Sequence, residues 1–215
     1  MKKGDLIWGG ILVFFIAFLI FPPTHEIFIS STKGHPFLVG FIKFFILASM
    51  GELLARRLGA GKWIKPSGLI LRGIIWGLLG MVFVVIFPIY ATGIQAAMKS
   101  GILPGNGSNL AFAFFTSAIM NISFAPTMML FHRITDTWID LKIGEGRYNV
   151  GLNDIVDAID FKGLINFVYL KTIPIFWIPA HTITFLLPAE YRVMMAAMLS
   201  IALGAILAFA KRKKA

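Results

Sequence analysis

Four polar residues past the middle of the chain have the types and spacing that could bind a metal ion or a phosphate group. They are His132, Arg133, Asp136 and Asp140, which fall within about two turns of a helix. Imidazole and carboxylate groups are common ligands of divalent metals, but no third convergent ligand accompanies them in the sequence. A helix that ends at a membrane interface has the same composition. We therefore predict no metal, no cofactor and no catalytic residue.

A second candidate centres on His181, which lies in an apolar stretch after two prolines. Pro174 and Pro179 each lack a backbone donor, and the carbonyl groups left free must bond to neighbouring groups or water. A hydrogen bond between helices would explain this histidine, and so would a wet path through the protein, which we favour. The accompanying polar or aromatic residues are Trp177, Thr182 and Thr184.

A second proline-containing stretch also carries polar side chains. Asn121 and Ser123 precede Pro126 within a run that is otherwise apolar. Two such stretches favour a polar interior more than either does alone, so we predict that Asn121 and Ser123 lie near the same path.

Three charged residues complete the predicted pathway or binding set. Lys43 lies about six residues inside an apolar stretch, where it either faces the protein interior or extends its stem to the interface. Glu52 and Arg56 have the four-residue spacing of an ordinary helix ion pair, and a functional pair is the alternative.

Composition places these residues in a membrane protein. Of 215 residues, 58% are hydrophobic and 14% are charged, and the mean hydropathy is +0.82, whereas about 25% of residues in a soluble domain are charged. The chain has no cysteine, which excludes disulfides and thiolate chemistry. No nucleophile-elbow, zinc-protease, phosphate-loop or dinucleotide motif is present. We therefore predict that the protein is not an enzyme.

The apolar stretches predict an all-α membrane protein, a bundle of six transmembrane helices that forms a single domain over residues 1–215. Each span needs about 20 apolar residues, so the loops between spans must be short. We expect the first span to be an uncleaved helix, because no cleavage site of small residues follows it closely. The predicted spans are 6–21, 37–54, 69–97, 108–131, 165–187 and 191–210.

The basic residues orient this bundle. If the N-terminus is cytoplasmic, sixteen of the twenty lysines and arginines fall on the cytoplasmic side, and Lys33, Lys99 and Arg192 fall outside. Such a bias is typical of cytoplasmic loops and predicts that both termini are cytoplasmic. The same bias accounts for the net charge of +10, so this charge is not taken as a sign of nucleic-acid binding.

A polar segment between spans four and five predicts a short cytoplasmic amphipathic helix. Within 149–163, apolar residues recur at helical spacing, with three aspartates on the opposite face. Asn153 is the expected N-cap, and the helix is expected to end near Lys162.

The order of several short motifs resembles a known family. Phe124-Ala125-Pro126 is followed by Asp136-Thr-Trp138 and then by a C-terminal set of Trp177, Pro179, Phe185, Pro188, Tyr191 and Arg192. This order is similar to that of the family of Mpv-seventeen and the twenty-two-kilodalton peroxisomal membrane protein, found in mitochondrial inner and peroxisomal membranes. Met120-Asn121 stands where that family has Asp-Gln, and Ile178 separates its Trp-Pro pair. The resemblance implies a pore for small solutes.

Together these observations predict a small-solute channel or transporter of the plasma (inner) membrane, with a path lined by spans four and five. The alternative is a non-catalytic scaffold or assembly factor that recruits a partner through the cytoplasmic helix. The expected partners are the lipid bilayer and small polar or anionic solutes. A homo-oligomer is compatible with the sequence, and nucleic acid is not expected.

Overall fold

The computed structural model describes residues 2–212, and the regular elements of this range are all helical. The α-helices are α1 (Lys3–Ile20), α2 (Pro22–Gly34), α3 (Pro36–Ala60), α4 (Leu69–Lys99), α5 (Asn109–Ser123), α6 (Ala125–Ile139), α7 (Leu152–Ala158), α8 (Phe161–Gly163), α9 (Ile178–Leu186) and α10 (Ala189–Arg212). The π-helical segments are π1 (Asp140–Gly144) and π2 (Leu164–Trp177). The all-α class predicted from the sequence is confirmed for this range.

Five helical segments are long and apolar enough to cross a membrane, and the count is six if α5 and α6 form one bent span. Large apolar side chains are exposed along their outer faces. In α1 no residue is buried, although Trp8 donates a hydrogen bond to the Met50 carbonyl at 3.0 Å. Exposed apolar surface of this extent is unfavourable in water and favourable in lipid.

Helix α3 lies at the centre, packed between α4 and α10. Glycines make both contacts close: Gly40 of α3 faces Gly80 of α4, and Gly51 of α3 faces Gly204 of α10. A Cβ atom added at Gly51 would lie 2.8 Å from the backbone of Ser200. Small residues at such contacts let helix backbones approach closely inside a membrane.

The second half of the chain contributes α5, which packs against α9. The prolines of the predicted span 165–187 coincide with a change in the helix: Pro174 lies inside the π-helix π2, and Pro179 lies in the first turn of α9. A π-helix pairs each amide with the carbonyl five residues earlier. This wider ladder accommodates backbone groups that a proline leaves without an α-helical partner.

The predicted span 108–131 differs from the structure. It divides into α5 and α6, which together with π1 make a bend of 45°, and the helix continues past residue 131 to Gly144. The break falls at Phe124, just before Pro126, whose ring disfavours continuation of a straight helix. The continuation carries Asp136 and Asp140 to a cationic partner described below.

The connections between spans also differ from expectation. The stretch after the first span forms the helix α2, which begins with Pro22 and Pro23, because proline suits the first turn of a helix. The predicted amphipathic helix is divided into α7 and α8, and its N-cap is Gly151 rather than Asn153. Asp154 accepts a hydrogen bond from the Gly151 amide at 2.8 Å, which fixes this start.

The two ends of the bundle are named for these connections. The α2 end carries α2, the loop before α5 and the turn before α10. The α7 end carries α7 and the loop between α3 and α4.

Candidate functional site

Two cavities open at the α2 end and share Arg192 as a wall. The first, of about 260 Å³, lies between α2, α3, α4 and α10. Its lining extends from Lys33 and Glu190 at the rim to Gly40 and Val84, and Val84 is the middle residue of α4. The second, of about 490 Å³, lies between α4, α5 and α10, and its polar lining residues are Thr92, Gln95, Lys99, Asn106, Ser108 and Asn109.

Lys43 lies in the wall of the first cavity and is only 3% exposed. Its ammonium group donates a hydrogen bond to the Thr32 hydroxyl at 3.0 Å and lies 4.3 Å from the centre of the Phe28 ring. Among residues 2–212, no carboxylate lies within ion-pair distance of this group. Of the two sequence-based alternatives, the structure therefore favours the interior position over extension to the interface.

Arg192 at the start of α10 is held by backbone carbonyls. Its Nε donates to Leu187 at 3.0 Å and its Nη2 donates to Phe185 at 3.2 Å. The guanidinium also lies 5.9 Å from the Phe112 ring centre and 5.4 Å from that of Phe185. These contacts fix the cation at the boundary between the two cavities.

His181 and Asn121 are direct partners beneath this region. The Asn121 side chain bonds to Nδ1 of His181 at 3.0 Å, and the two residues are 1% and 5% exposed. Ser117 extends this contact between α5 and α9 by donating to the Ile178 carbonyl at 2.7 Å. The imidazole thus faces the interior and is bonded across helices, and its place on a solute path stays a prediction.

The other residues predicted around His181 are spread more widely. Trp177 stacks against the imidazole with ring centres 5.1 Å apart. Thr182 and Thr184 donate to carbonyls of their own helix. Ser123 is exposed and bonds to the Tyr90 hydroxyl at 2.7 Å, so it lies apart from this group.

Aromatic rings fill the interior between the first cavity and the α7 end. Phe87 lines that cavity and contacts His181 edge-on with ring centres 5.9 Å apart. Further towards the α7 end, the ring centres of Phe83 and Phe44 are 5.0 Å apart, and those of Trp76 and His132 are 4.2 Å apart. These rings close the bundle below the cavity.

A cluster of charges lies at the α7 end around Arg72, which is 2% exposed. Its guanidinium contacts Asp136 at 2.7 Å, Asp140 at 2.5 Å and Glu52 at 3.7 Å, and also donates to the Ser67 carbonyl at 3.0 Å. The predicted helix pair of Glu52 and Arg56 is present at 3.3 Å, so it joins this cluster rather than the His181 group. The aspartates that were weighed as metal ligands thus bond to a cation.

Sequence reasoning missed Arg72, Arg192 and Phe87 as members of these sites. Arg192 is used above only in the charge bias of the loops and in the C-terminal motif set, and Arg72 only as one of the sixteen cytoplasmic cations. Both lie in the first turn of a span helix, a position where a buried cation needs nearby partners, and that signal was available.

The long apolar helices and their exposed outer faces define the class: the chain is an α-helical, multi-pass membrane protein. The chain matches no protein-family model, no curated protein and no solved structure.

Proposed function

We propose that this protein is a channel or transporter for small solutes, with its outer entrance at the α2 end. The observation that carries the proposal is the first cavity, which extends to the middle of α4 and includes a buried lysine in its wall. A cavity that reaches mid-helix shortens the distance a solute must cross in apolar surroundings. Ionisable side chains inside a membrane bundle face the protein interior or a water-filled cavity, and substrate and ion pathways are among the sites they mark.

The rest of the route is closed in this conformation. Phe87 forms the floor of the cavity, with His181 and Asn121 behind it on the α9 side. The Arg72 cluster lies at the opposite end. We propose that permeation requires the Phe87 ring to move, so that a solute passes the His181 and Asn121 side chains predicted to line the path.

The proposal includes six spans, with α5 and α6 counted as one, in the plasma or inner membrane. Both termini are then cytoplasmic, and the α2 end faces outward. The charge bias of the loops supports this orientation, although Lys213 and Lys214 lie outside the described residues. The motif order that resembles the Mpv-seventeen family leads to the same expectation of a pore.

A flux measurement tests the function directly. Purified protein is reconstituted in liposomes, and efflux of a panel of labelled small solutes is followed. The variant Val84→Trp places an indole in the first cavity, and we expect it to lower efflux several-fold. The matched control is Val82→Trp on the exposed face of the same helix, which we expect to leave efflux unchanged.

Two results would refute the function: no efflux above that of empty liposomes for any solute in the panel, or equal efflux from the two variants. Correct folding of both proteins is checked by their elution in detergent.

A membrane scaffold is the second candidate, and one observation favours it. Leu152 and Val156 of α7 are exposed beside the buried Ile155, so this helix has apolar surface free for a partner. Pull-down of a protein partner that depends on Leu152 and Val156, combined with absent flux, would favour the scaffold.

A further inference from the structure

We infer that the cavities at the α2 end form a binding site for a small oxyanion of the phosphate or sulfate type, with Lys43 and Arg192 as its principal cations. This deepens the proposed function and rests on it for the anion's role as a permeating solute. Binding itself can be tested without transport.

The charge of the lining is the first argument. The two cavities together are lined by four cations, Lys33, Lys43, Lys99 and Arg192, and by one carboxylate, Glu190. Glu190 pairs with Lys33 at 3.1 Å at the rim. Within the described residues, no carboxylate lies within ion-pair distance of Lys43 or Arg192, and Glu190 acts on Arg192 only through a longer-range attraction. A concave, low-dielectric site lined by one sign of charge concentrates ions of the opposite sign.

The second argument is the hydrogen-bonding capacity of Lys43. An ammonium group has three donors, and the protein acceptor it contacts is the Thr32 hydroxyl. Burying a cation is costly unless it is paired. An oxyanion in the cavity would accept the free donors and supply the opposite charge.

The third argument is the fixed position of Arg192. Two backbone carbonyls hold its Nε and Nη2, and the centres of two aromatic rings lie 5.4 and 5.9 Å from its Cζ. A guanidinium that is already oriented loses little freedom when it binds an anion. The Thr32 hydroxyl lines the same cavity as Lys43 and Arg192 and is a further donor for the remaining oxygens.

Equilibrium dialysis of purified protein in a phosphorus-free detergent, with labelled inorganic phosphate or sulfate at constant ionic strength in chloride, tests the site. We expect saturable binding that Lys43→Gln weakens about tenfold or more, because one charge-assisted hydrogen bond is lost. Lys43→Arg, which keeps the charge, should retain most of the affinity. Lys62→Gln, an exposed lysine in the loop at the α7 end, is the control and should bind like the parent protein.

Arg192→Lys provides a second test if Lys43→Gln does not purify. It keeps the cation but loses the planar donors, and we expect weaker binding at the same stoichiometry. Equal affinity in the parent, Lys43→Gln and Arg192→Lys proteins, or no saturable binding in the parent, overturns the inference.

The oxyanion could belong to a free ion or to a lipid headgroup, and the phosphorus content of the purified protein separates these sources. Tightly bound phospholipid that is reduced in Lys43→Gln supports the same site with a headgroup in it. Binding of free phosphate without bound phospholipid supports a soluble anion. Efflux of neutral solutes without oxyanion binding overturns this inference while the proposed function stands, and binding without efflux does the reverse.

Discussion

Arg72 of α4 joins Asp136 of α6 through an Nη1 to Oδ1 distance of 2.7 Å, and this contact ties the two halves of the chain together at the α7 end. The arginine is almost fully buried, while Asp140, its other close partner, is largely exposed. The pairing with Asp136 is therefore the more shielded of the two.

Replacing Arg72 with Gln should destabilise the protein strongly, because it leaves Asp136 without its cation. Breaking a buried ion pair from one side costs about 3–5 kcal/mol. The thermal midpoint in detergent measures the loss. Arg147→Gln, which removes exposed pairs with Glu145 and Asp154, should change the midpoint little. Similar midpoints for the two variants would contradict a structural role of the Arg72 cluster.

The close approach of α3 and α4 predicts a contrast between two glycines of the same helix. A Cβ atom at Gly80 would overlap the Gly40 carbonyl, whereas one at Gly93 would meet nothing within 4 Å. Gly80→Ala should cost about 1–3 kcal/mol through overpacking. Gly93→Ala should be neutral or slightly stabilising, because alanine favours the helix. Chemical unfolding in mixed micelles compares them, and an equally stable Gly80→Ala protein would argue against the contact.

His181 gives a functional prediction. His181→Leu removes the polar group predicted to line the path, so solute efflux from liposomes should fall while membrane insertion is retained. His35→Leu, at an exposed position before α3, is the control with the same change of residue. Unchanged efflux in His181→Leu would leave the histidine with a packing role only. In that case a double-mutant cycle with Asn121 should still give a coupling of about 0.6 kcal/mol, the average for such bonds in a membrane.

The orientation of the bundle can be tested because the natural chain lacks cysteine. Single cysteines at Lys33, Lys99 and Ala189 should react with an impermeant reagent added outside intact cells. Cysteines at Lys62 and Gly146 should react only after the cells are opened. Labelling of Lys33 and Lys62 from the same side would contradict the proposed topology.

The sequence predicted the helical class and the break between the spans 69–97 and 108–131, where Gly101, Gly105 and Gly107 adopt the left-handed backbone conformation. A hydropathy pattern predicts these features because only long apolar helices, whose backbone groups are hydrogen-bonded internally, are stable in lipid. It did not predict α2, since Pro22 and Pro23 end one helix and begin the next, and a proline pair has the same appearance in both roles.

The sites were harder to predict because their contacts join distant parts of the chain. Asn121 and His181 were each expected inside the bundle, but nothing local indicated that they bond to each other. The pairing of Arg72 with Asp140 could not be predicted either, because the path of the chain to Asp140 includes the bend at Phe124. The cavities arise from spaces between four helices in one case and three in the other, and a sequence pattern contains no information about such spaces.

The glycine contacts of α3 have a mechanical consequence. Because the backbones approach closely at Gly40 and Gly51, sliding of α3 against α4 or α10 would produce clashes, and we expect these three helices to move as one block. The other block is α5 with π2 and α9, and it meets the first along the less extensive boundary between α4 and α5. The Arg72 ion pairs fasten α4 to α6, which continues from α5, at the α7 end, and the second cavity separates α4 from α5 at the α2 end. We therefore expect the bundle to widen by a hinge motion. The hinge lies at the Arg72 ion pairs, and the two blocks separate at the α2 end, where the cavity lies.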